Sequence, residues 1–261
     1  MSNKLVAVVA GMQHSGTTYL NEVINSHSKI MSGFECGILL NSLEKFHTVL
    51  PFNVWLRTNS KYFGLPDDYL SKIKKMTYPQ VYEYIAKNKG YKGDCMYQKL
   101  IKYSPYFTDK TPSYVYEIEN IYKKISSLYV PIFIVLKSYD EIYKSWVIKR
   151  ELPLSMLNDS LSKCIQSLKF IEKSKKSNIF LFEYNDLMNK SEKYNQVIMR
   201  IIKKFNNHIE LENLSKERFN KKIKDTSIYE GNSKKQKPFQ VSDSIYKNEY
   251  NQLLNKLKIK L

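Results

Sequence analysis

The amino-acid sequence predicts an α/β fold in which a parallel β-sheet is covered by helices on both faces. Three apolar runs, at residues 4–10, 130–136 and 178–183, read as buried strands. Segments with the spacing of amphipathic helices separate these runs along the chain. Strands that are apolar throughout suit a parallel sheet that is buried on both faces.

The helices are predicted from apolar residues that recur at helical spacing. They are expected at residues 17–26, 37–49, 65–89, 113–126, 139–150, 154–175, 191–206 and 243–260. The polar stretch 207–242 is dense in Lys, Asn and Ser and is predicted to be a loop region. A chain of 261 residues is long enough for one large α/β domain and short for two, so residues 1–261 are interpreted as a single domain.

The composition bears on where the protein resides. Hydrophobic residues make up 43% of the chain, and no run of 18 or more apolar residues predicts a membrane-spanning helix. The apolar run at 5–10 is too short for the core of a signal peptide, and no small-residue cleavage site follows it. The sequence therefore predicts a cytoplasmic protein, or one on the cytosolic side of a membrane.

Cysteine and histidine usage gives no indication of a metal site or a disulfide framework. Cys36, Cys95 and Cys164 form no CxxC pair, and the four histidines show no metal-ligand spacing. We therefore expect a protein that needs no metal.

The net charge of +17 has two explanations. A polyanionic partner such as nucleic acid, an anionic lipid surface, an acidic glycan or a nucleotide phosphate is one. The other is base composition, because 38 of the 42 basic residues are Lys and the chain is rich in Asn, Ile and Tyr, as a low-GC genome produces. The charge agrees with an anionic ligand but does not establish one.

The segment from Gly11 to Thr18 reads GMQHSGTT and joins the first strand to the first helix. Two glycines five positions apart, a helix N-terminus and two threonine hydroxyls together predict a phosphate cradle. A P-loop for ATP or GTP has a lysine where Thr17 stands, and that lysine reaches the β- and γ-phosphates. The loop therefore suits a ligand with one phosphate at this end better than a triphosphate.

The HSGTT segment resembles the 5'-phosphosulfate loop of sulfotransferases that use 3'-phosphoadenosine 5'-phosphosulfate (PAPS), usually written [RK]SGTT. The resemblance implies the P-loop NTPase-like fold of that family. It also implies that Ser15, Gly16, Thr17 and Thr18 hold the 5'-phosphate. His14 occupies the position of the usual Arg or Lys, and is expected to contact the phosphosulfate bridge with a more limited set of donors.

Two further segments resemble the tyrosylprotein and heparan-type (Golgi-like) branch of that family. Glu35 lies 21 residues after His14, where those enzymes carry the catalytic base that deprotonates the acceptor hydroxyl. The DKTP segment at 109–112 resembles the DKTP or EKTP segment in which the lysine reaches the transferring sulfuryl group. Lys110 is therefore expected to offset charge on the leaving phosphate.

The remaining matches concern the other end of the nucleotide. Lys137 follows the second apolar run and Ser145 comes eight residues later, as the Arg and Ser of the family's 3'-phosphate site do. Lys149 falls on the same helix face as Ser145, and is expected to add a cation or to be an ordinary outward-facing residue. FEYNDL at 182–187 resembles the family's YEDL segment and implies that Tyr184 lies near the adenine or ribose. Ser233, in the basic stretch GNSKKQK, occupies the place of a cofactor-closing loop.

These resemblances imply transfer of a sulfuryl group from PAPS to an acceptor hydroxyl, with release of 3'-phosphoadenosine 5'-phosphate (PAP). A glycan or glycolipid is the favoured acceptor and a peptide tyrosine the next. A P-loop kinase or phosphotransferase that uses ATP is the first alternative, although it predicts a lysine that the loop lacks. A non-enzymatic protein that binds nucleic acid or anionic membrane is the second, but the chain has no recognisable nucleic-acid motif and no nucleic-acid partner is expected.

Overall fold

The computed structural model describes residues 4–32, 35, 37–40, 42–43, 66–87, 106–189, 191–210 and 244–259. Within them one five-stranded sheet is formed by β1 (Leu5–Gly11), β2 (Ile30–Ser32), β3 (Tyr106–Lys110), β4 (Ile132–Leu136) and β5 (Ile179–Glu183). The strand order is β2-β3-β1-β4-β5, and every pairing is parallel. The first strand therefore lies at the centre of the sheet, between β3 and β4.

Helices connect the strands. The α-helices are α1 (Thr17–Asn25), α2 (Tyr69–Ile73), α3 (Tyr78–Lys87), α4 (Ile118–Ile125), α5 (Tyr139–Tyr143), α6 (Leu154–Ser174), α7 (Tyr184–Asn189), α8 (Ser191–Phe205) and α9 (Lys247–Leu257). Two 3-10 helices, Pro112–Glu117 and Ser126–Leu128, flank α4, and a π-helical turn, Lys144–Ile148, follows α5.

Both faces of the sheet are buried, as the continuous apolar runs predict. In β4 the side chains of Ile132, Ile134 and Leu136 join one core cluster, and those of Phe133 and Val135 join the other. This alternation follows from the two-residue period of a strand. The first cluster packs against α3, α4, α6 and α9, and the second against α1 and α8. The predicted parallel α/β architecture with helices on both faces is confirmed.

Two strands were absent from the sequence-based prediction. The strand β2 has only three residues, which is too short to show a pattern. The strand β3 ends in Thr108, Asp109 and Lys110, which are polar or charged and yet buried. The criterion of a continuous apolar run therefore fails for β3.

The predicted single helix at 65–89 is two helices in the structure. Residues 74–77 separate them. The side chain of Gln80, in the first turn of the second helix, accepts a hydrogen bond from the Thr77 N–H at 2.8 Å and so caps the start of that helix.

The prediction of a helix at 37–49 is wrong for the residues of that range that the structure describes. Residues 37–40 form a turn, because Gly37 has a φ of 65° and so leaves the helical conformation, and residues 42–43 are not helical either. The remaining predicted helices lie close to their expected positions where the structure describes them. The predicted helix at 139–150 contains the π-helical turn.

The carboxyl ends of the strands define one edge of the sheet, where parallel α/β proteins bind ligands. At this edge β1 leads into the glycine-containing loop, and β3 ends at Lys110. Lys137 directly follows β4, and Tyr184 directly follows β5. The fold therefore brings the sequence-predicted motifs to a common edge.

Candidate active site

The loop between β1 and α1 has an unusual backbone. His14 and Gly16 adopt left-handed conformations, with φ of 65° and 102°. Glycine adopts this conformation without cost, whereas a left-handed histidine is uncommon. Alternation of left- and right-handed residues turns successive N–H groups toward one side, as in anion-binding nests. The two left-handed residues on either side of Ser15 give this loop a sharp turn between β1 and α1.

Both glycines of the loop are sites of close approach. A Cβ atom on Gly16 would lie 2.2 Å from Cδ2 of Tyr184. One on Gly11 would lie 2.2 Å from the carbonyl oxygen of Val135. The loop therefore packs directly against β4 and against the aromatic ring that begins α7.

Two hydrogen bonds fix the loop on the scaffold. The hydroxyl of Ser15, which is fully buried, donates to the carbonyl of Val135 at 2.6 Å, and its backbone N–H donates to Met12. The indole Nε1 of Trp146 donates to the carbonyl of Gln13 at 2.8 Å. Both donors of Ser15 are thus used within the protein, which makes Ser15 a residue that shapes the loop.

A cluster of basic side chains lies beside the loop. Lys137 Nζ lies 4.4 Å from the centroid of the Tyr184 ring, and the Lys137 carbonyl accepts a hydrogen bond from Tyr250 of α9 at 2.8 Å. Arg150 Nη1 donates to the carbonyl and the hydroxyl of Ser145 at 2.6 and 3.2 Å. Ser145 belongs to the π-helical turn, a feature frequent at functional sites.

The pKa values of two groups report the electrostatic environment of this cluster. Desolvation, followed by the charges of Arg150 and Lys137, lowers the pKa of His14 from 6.5 to about 4. The pKa of Lys137 is also lowered, mainly by burial. The carboxylate of Glu141 opposes this shift, and the charges of Lys149 and Arg150 add to it. His14 is therefore neutral at pH 7, and a bound phosphate would relieve the repulsion among these cations.

A second group of candidate residues is an ion pair. Lys110 Nζ donates to Oε1 of Glu35 at 2.9 Å, and the two side chains are only 4% and 20% exposed. Lys110 is the last residue of β3, and Glu35 comes three residues after the end of β2. Because Lys110 pairs in register with Val9 of β1, the ion pair lies next to the strand that leads into the loop.

The two groups lie on opposite sides of the loop, since β3 and β4 flank the central strand. The residues that the sequence singled out and the structure describes are His14, Ser15, Gly16, Thr17, Thr18, Glu35, Lys110, Lys137, Ser145, Lys149 and Tyr184. Ser145 and Lys149 lie in the helical segment that follows β4, and the others lie at or just beyond the carboxyl ends of the strands. Ser233 lies outside the described residues.

Sequence reasoning did not single out Arg150 or the side chain of Asp109. Arg150 is one of only four arginines among 42 basic residues and comes five positions after Ser145, which is a signal that could have found it. Asp109 is fully buried and accepts hydrogen bonds from two tyrosines, a relationship that only the tertiary structure reveals.

In the ranges between 4 and 259 that the structure describes, no three His, Cys, Asp or Glu side chains are grouped so as to hold a metal ion. None of the helices in the described part of the chain is long and apolar enough to cross a membrane.

Comparison with known proteins identifies the fold. No protein-family profile and no curated protein sequence matches the chain. The sulfotransferase domain of the Synechococcus PCC 7002 olefin synthase is 15% identical with a TM-score of 0.66, and the match covers 100% of this chain and 96% of that domain. The sulfotransferase domain from the curacin biosynthetic pathway is 16% identical with a TM-score of 0.62, over 100% of this chain and 99% of that domain. The chain therefore has the fold of sulfotransferase domains.

Proposed function

We propose that this protein is a PAPS-dependent sulfotransferase that transfers a sulfuryl group to an acceptor hydroxyl. One observation carries the proposal. A phosphate-type loop lies at the carboxyl edge of a sulfotransferase-like sheet, with a basic cluster on one side and a carboxylate–ammonium pair on the other. Nucleotide binding needs the first two features, and hydroxyl activation needs the third.

The proposed nucleotide site divides into two ends. The 5'-phosphate is assigned to the loop N–H groups, to the N-terminus of α1 and to Thr17 and Thr18. Ser15 shapes that loop through its bond to Val135. His14, neutral in the free protein, is assigned to the phosphosulfate end, where an anion would favour its protonation.

The 3'-phosphate is assigned to Lys137, Ser145 and Arg150, with Lys149 as a further cation. Arg150 offers the forked guanidinium that Lys137 lacks, and it already donates to both oxygens of Ser145. The Tyr184 ring, which packs on the loop and on Lys137, is assigned to the adenine or ribose. Ser233 is assigned to a late loop that lies outside the described residues.

In the proposed reaction, Glu35 accepts the proton of the acceptor hydroxyl. The acceptor oxygen forms a bond to sulfur while the bond from sulfur to the 5'-phosphate oxygen breaks. The electron pair of that bond stays on the phosphate, so PAP leaves as an anion. Lys110 and the loop donors offset this charge. An ammonium has three N–H donors, so Lys110 can orient Glu35 and also reach the sulfuryl group.

The acceptor is proposed to be a hydroxyl of a glycan or glycolipid, with a peptide tyrosine as the alternative. The glutamate spacing and the segment at 109–112 support this choice, because they resemble the Golgi-like branch. The two solved domains come from an olefin synthase and the curacin biosynthetic pathway, so hydroxylated precursors of small-molecule biosynthesis belong in the same acceptor panel.

The nucleotide is tested by thermal-shift titration with PAP, with ADP and with ATP plus magnesium. A ligand that binds only the folded state raises the melting temperature. The proposal expects a shift with PAP that Lys137→Ala removes. A shift only with ATP plus magnesium would support a P-loop kinase and overturn the proposal, as would the absence of any shift with PAP.

Turnover is tested with radiolabelled PAPS and the acceptor panel. Transfer of label to a glycan, glycolipid, tyrosine peptide or hydroxylated precursor, accompanied by release of PAP, identifies the acceptor class. Glu35→Gln provides the inactive control with an intact nucleotide site.

A further inference from the structure

The buried carboxylate of Asp109, the residue next to Lys110, collects three hydroxyl donors. Tyr82 and Tyr114 donate to Oδ2 at 2.6 and 2.8 Å, and Thr111 is 3.4 Å from Oδ1. Asp109 is completely buried. The proposed chemistry does not use it directly, because its carboxylate is enclosed by these hydroxyl groups.

Two of the three hydroxyls also act as acceptors. The Thr111 hydroxyl accepts from the backbone N–H of Gly37 at 3.1 Å, and the Tyr114 hydroxyl accepts from that of Leu39 at 3.1 Å. A hydroxyl has one proton and two lone pairs. Donation of that proton to Asp109 therefore points the lone pairs of each oxygen toward the amide groups.

These amides belong to the turn that follows Glu35. Gly37 and Leu39 come two and four residues after Glu35, and both are buried. Gly37 has a φ of 65°, a left-handed conformation that glycine tolerates best. The turn is thus fixed at two points by hydroxyl groups whose orientation depends on a single carboxylate.

We infer that Asp109 is a positioning residue for the active site. Through Thr111 and Tyr114 it holds the turn at 37–39, and thereby holds Glu35 against Lys110. Asp109 and Lys110 are consecutive residues of β3. The same strand therefore carries the proposed cation and positions the turn that holds the proposed base. The catalytic consequence rests on the proposed function; the positioning itself does not.

A charged acceptor suits this role for a physical reason. Hydrogen bonds to an ionised acceptor are about twice as strong as neutral ones, and they strengthen further in a buried environment of low dielectric constant. The hydrogen bonds that run from Asp109 through the Thr111 and Tyr114 hydroxyls to the turn amides are here called the relay. This relay fixes the position of the turn more tightly than neutral side chains do. A displacement of about 1 Å at a reacting group can lower a rate by about 100-fold, so such rigidity has a catalytic use.

The test compares hydroxyls that donate to the same carboxylate. Tyr114→Phe and Thr111→Val each remove a hydroxyl that joins Asp109 to a turn amide. Tyr82→Phe removes a donor to the same carboxylate and leaves the Thr111 and Tyr114 hydroxyls in place. Tyr82→Phe is therefore the matched control. Asp109→Asn is the fourth variant, but it can fail to fold, so the two relay variants decide the result.

The first readout is hydrogen exchange of the backbone amides in the full chain and requires no activity. Exchange at Leu39 is expected to be about fivefold faster or more in Tyr114→Phe, and likewise at Gly37 in Thr111→Val, because each amide loses its acceptor. Tyr82→Phe is expected to leave both amides unchanged. Equal acceleration in all three variants, or none in the relay variants, would overturn the inference.

The second readout separates turnover from nucleotide binding. The relay variants are expected to lower kcat by about tenfold or more while the Kd for PAP stays within about twofold, and Tyr82→Phe is expected to change neither. Equal kcat losses in Tyr82→Phe and Tyr114→Phe would mean a merely structural role. If the wild-type protein does not turn over PAPS, the proposed function fails while hydrogen exchange still decides the positioning.

Discussion

The ammonium of Lys110 lies 2.9 Å from the carboxylate of Glu35, although the two residues are 75 positions apart in the sequence. The contact is formed between the last residue of β3 and the segment beyond β2, two neighbouring strands. In the proposed reaction Glu35 takes the proton of the acceptor oxygen and Lys110 stabilises charge on the transferring group. Their contact brings the proposed base and the proposed cation together at the carboxyl edge of the sheet.

Replacement of Glu35 by Gln is expected to abolish turnover without loss of nucleotide binding. The amide cannot accept the acceptor proton, so kcat should fall by about 10²–10⁴-fold. The Kd for PAP should change by less than about threefold, because Glu35 is on the ion-pair side of the loop. Turnover of PAPS and calorimetric titration of PAP measure the two quantities. Glu119→Gln, in an exposed helical ion pair, is the control. Parallel loss of PAP binding would contradict a role confined to proton transfer.

Replacement of Lys110 by Met is expected to lower kcat by about 10²–10³-fold, since it removes a cation aimed at developing charge. The side chain keeps a similar length, so packing at this 4% exposed position is largely preserved. Residues that act as a unit are not additive. The double variant of Glu35→Gln and Lys110→Met should therefore be little worse than the more damaging single variant. Fully multiplicative losses in kcat would show that the two residues act independently.

The depressed pKa of His14 predicts a characteristic pH dependence. In the folded protein the pKa of His14 is about 4, below its usual value of 6.5. Between these two pH values His14 is protonated in the unfolded chain but not in the folded protein, so it lowers the stability of the folded state. Its effect on stability is absent above pH 6.5 and grows as the pH falls toward 4. An anion beside His14 raises its pKa, so PAP binding should be accompanied by proton uptake.

His14→Asn isolates this contribution, because asparagine tolerates the left-handed backbone that His14 adopts. Between about pH 7.5 and about pH 5.5, wild-type affinity for PAP should improve relative to that of His14→Asn. The comparison cancels the titration of the phosphates themselves. Calorimetry in buffers of different ionisation enthalpy measures the protons taken up. Parallel pH profiles for the two proteins would show that His14 does not face the nucleotide.

The basic cluster predicts which phosphate arrangement is preferred. Arg150→Lys keeps the charge but removes the guanidinium fork, and Arg150→Ala removes both. PAP should bind about 10-fold more weakly to Arg150→Ala, a loss typical of a hydrogen bond to a charged group. Binding of ADP, which carries both phosphates on the 5' side, should be less affected. Arg200→Ala, an exposed position on α8, is the control. An equal loss for PAP and ADP would place Arg150 away from the 3'-phosphate.

The sequence predicts those strands in which the buried residues are consecutive and apolar. The strands β1, β4 and β5 are of this kind. The loop between Gly11 and Gly16 is predicted instead from its glycine spacing after a strand. The strand β3 does not follow the apolar pattern, because its buried residues Asp109 and Lys110 are charged and have partners distant in the sequence. A local pattern cannot reveal such partners.

The same limit applies to the site. The order of short motifs was sufficient to nominate Glu35 and Lys110, which the structure places in contact. The link from Asp109 to the turn at 37–39 passes through the hydroxyls of Thr111 and Tyr114, which are 74 and 75 positions from the amides they accept from, so no local pattern reveals it. The hydrogen bond from Trp146 to Gln13 likewise joins a π-helical turn to the loop across 133 positions.

Gly16 provides the most direct test of the loop itself. Gly16→Ala introduces a Cβ atom at a φ of 102°, which costs about 1–2 kcal/mol in backbone strain alone. That atom would also lie 2.2 Å from the Tyr184 ring, so the ring or the loop must move. The free energy of unfolding should fall, and PAP binding should weaken by more than the loss of stability explains. Tyr184→Ala in the same chain should relieve the steric part and leave the strain. Denaturant unfolding and PAP titration of the two single variants and the double variant separate these effects, and unchanged PAP affinity in a folded Gly16→Ala protein would argue against the loop as the phosphate site.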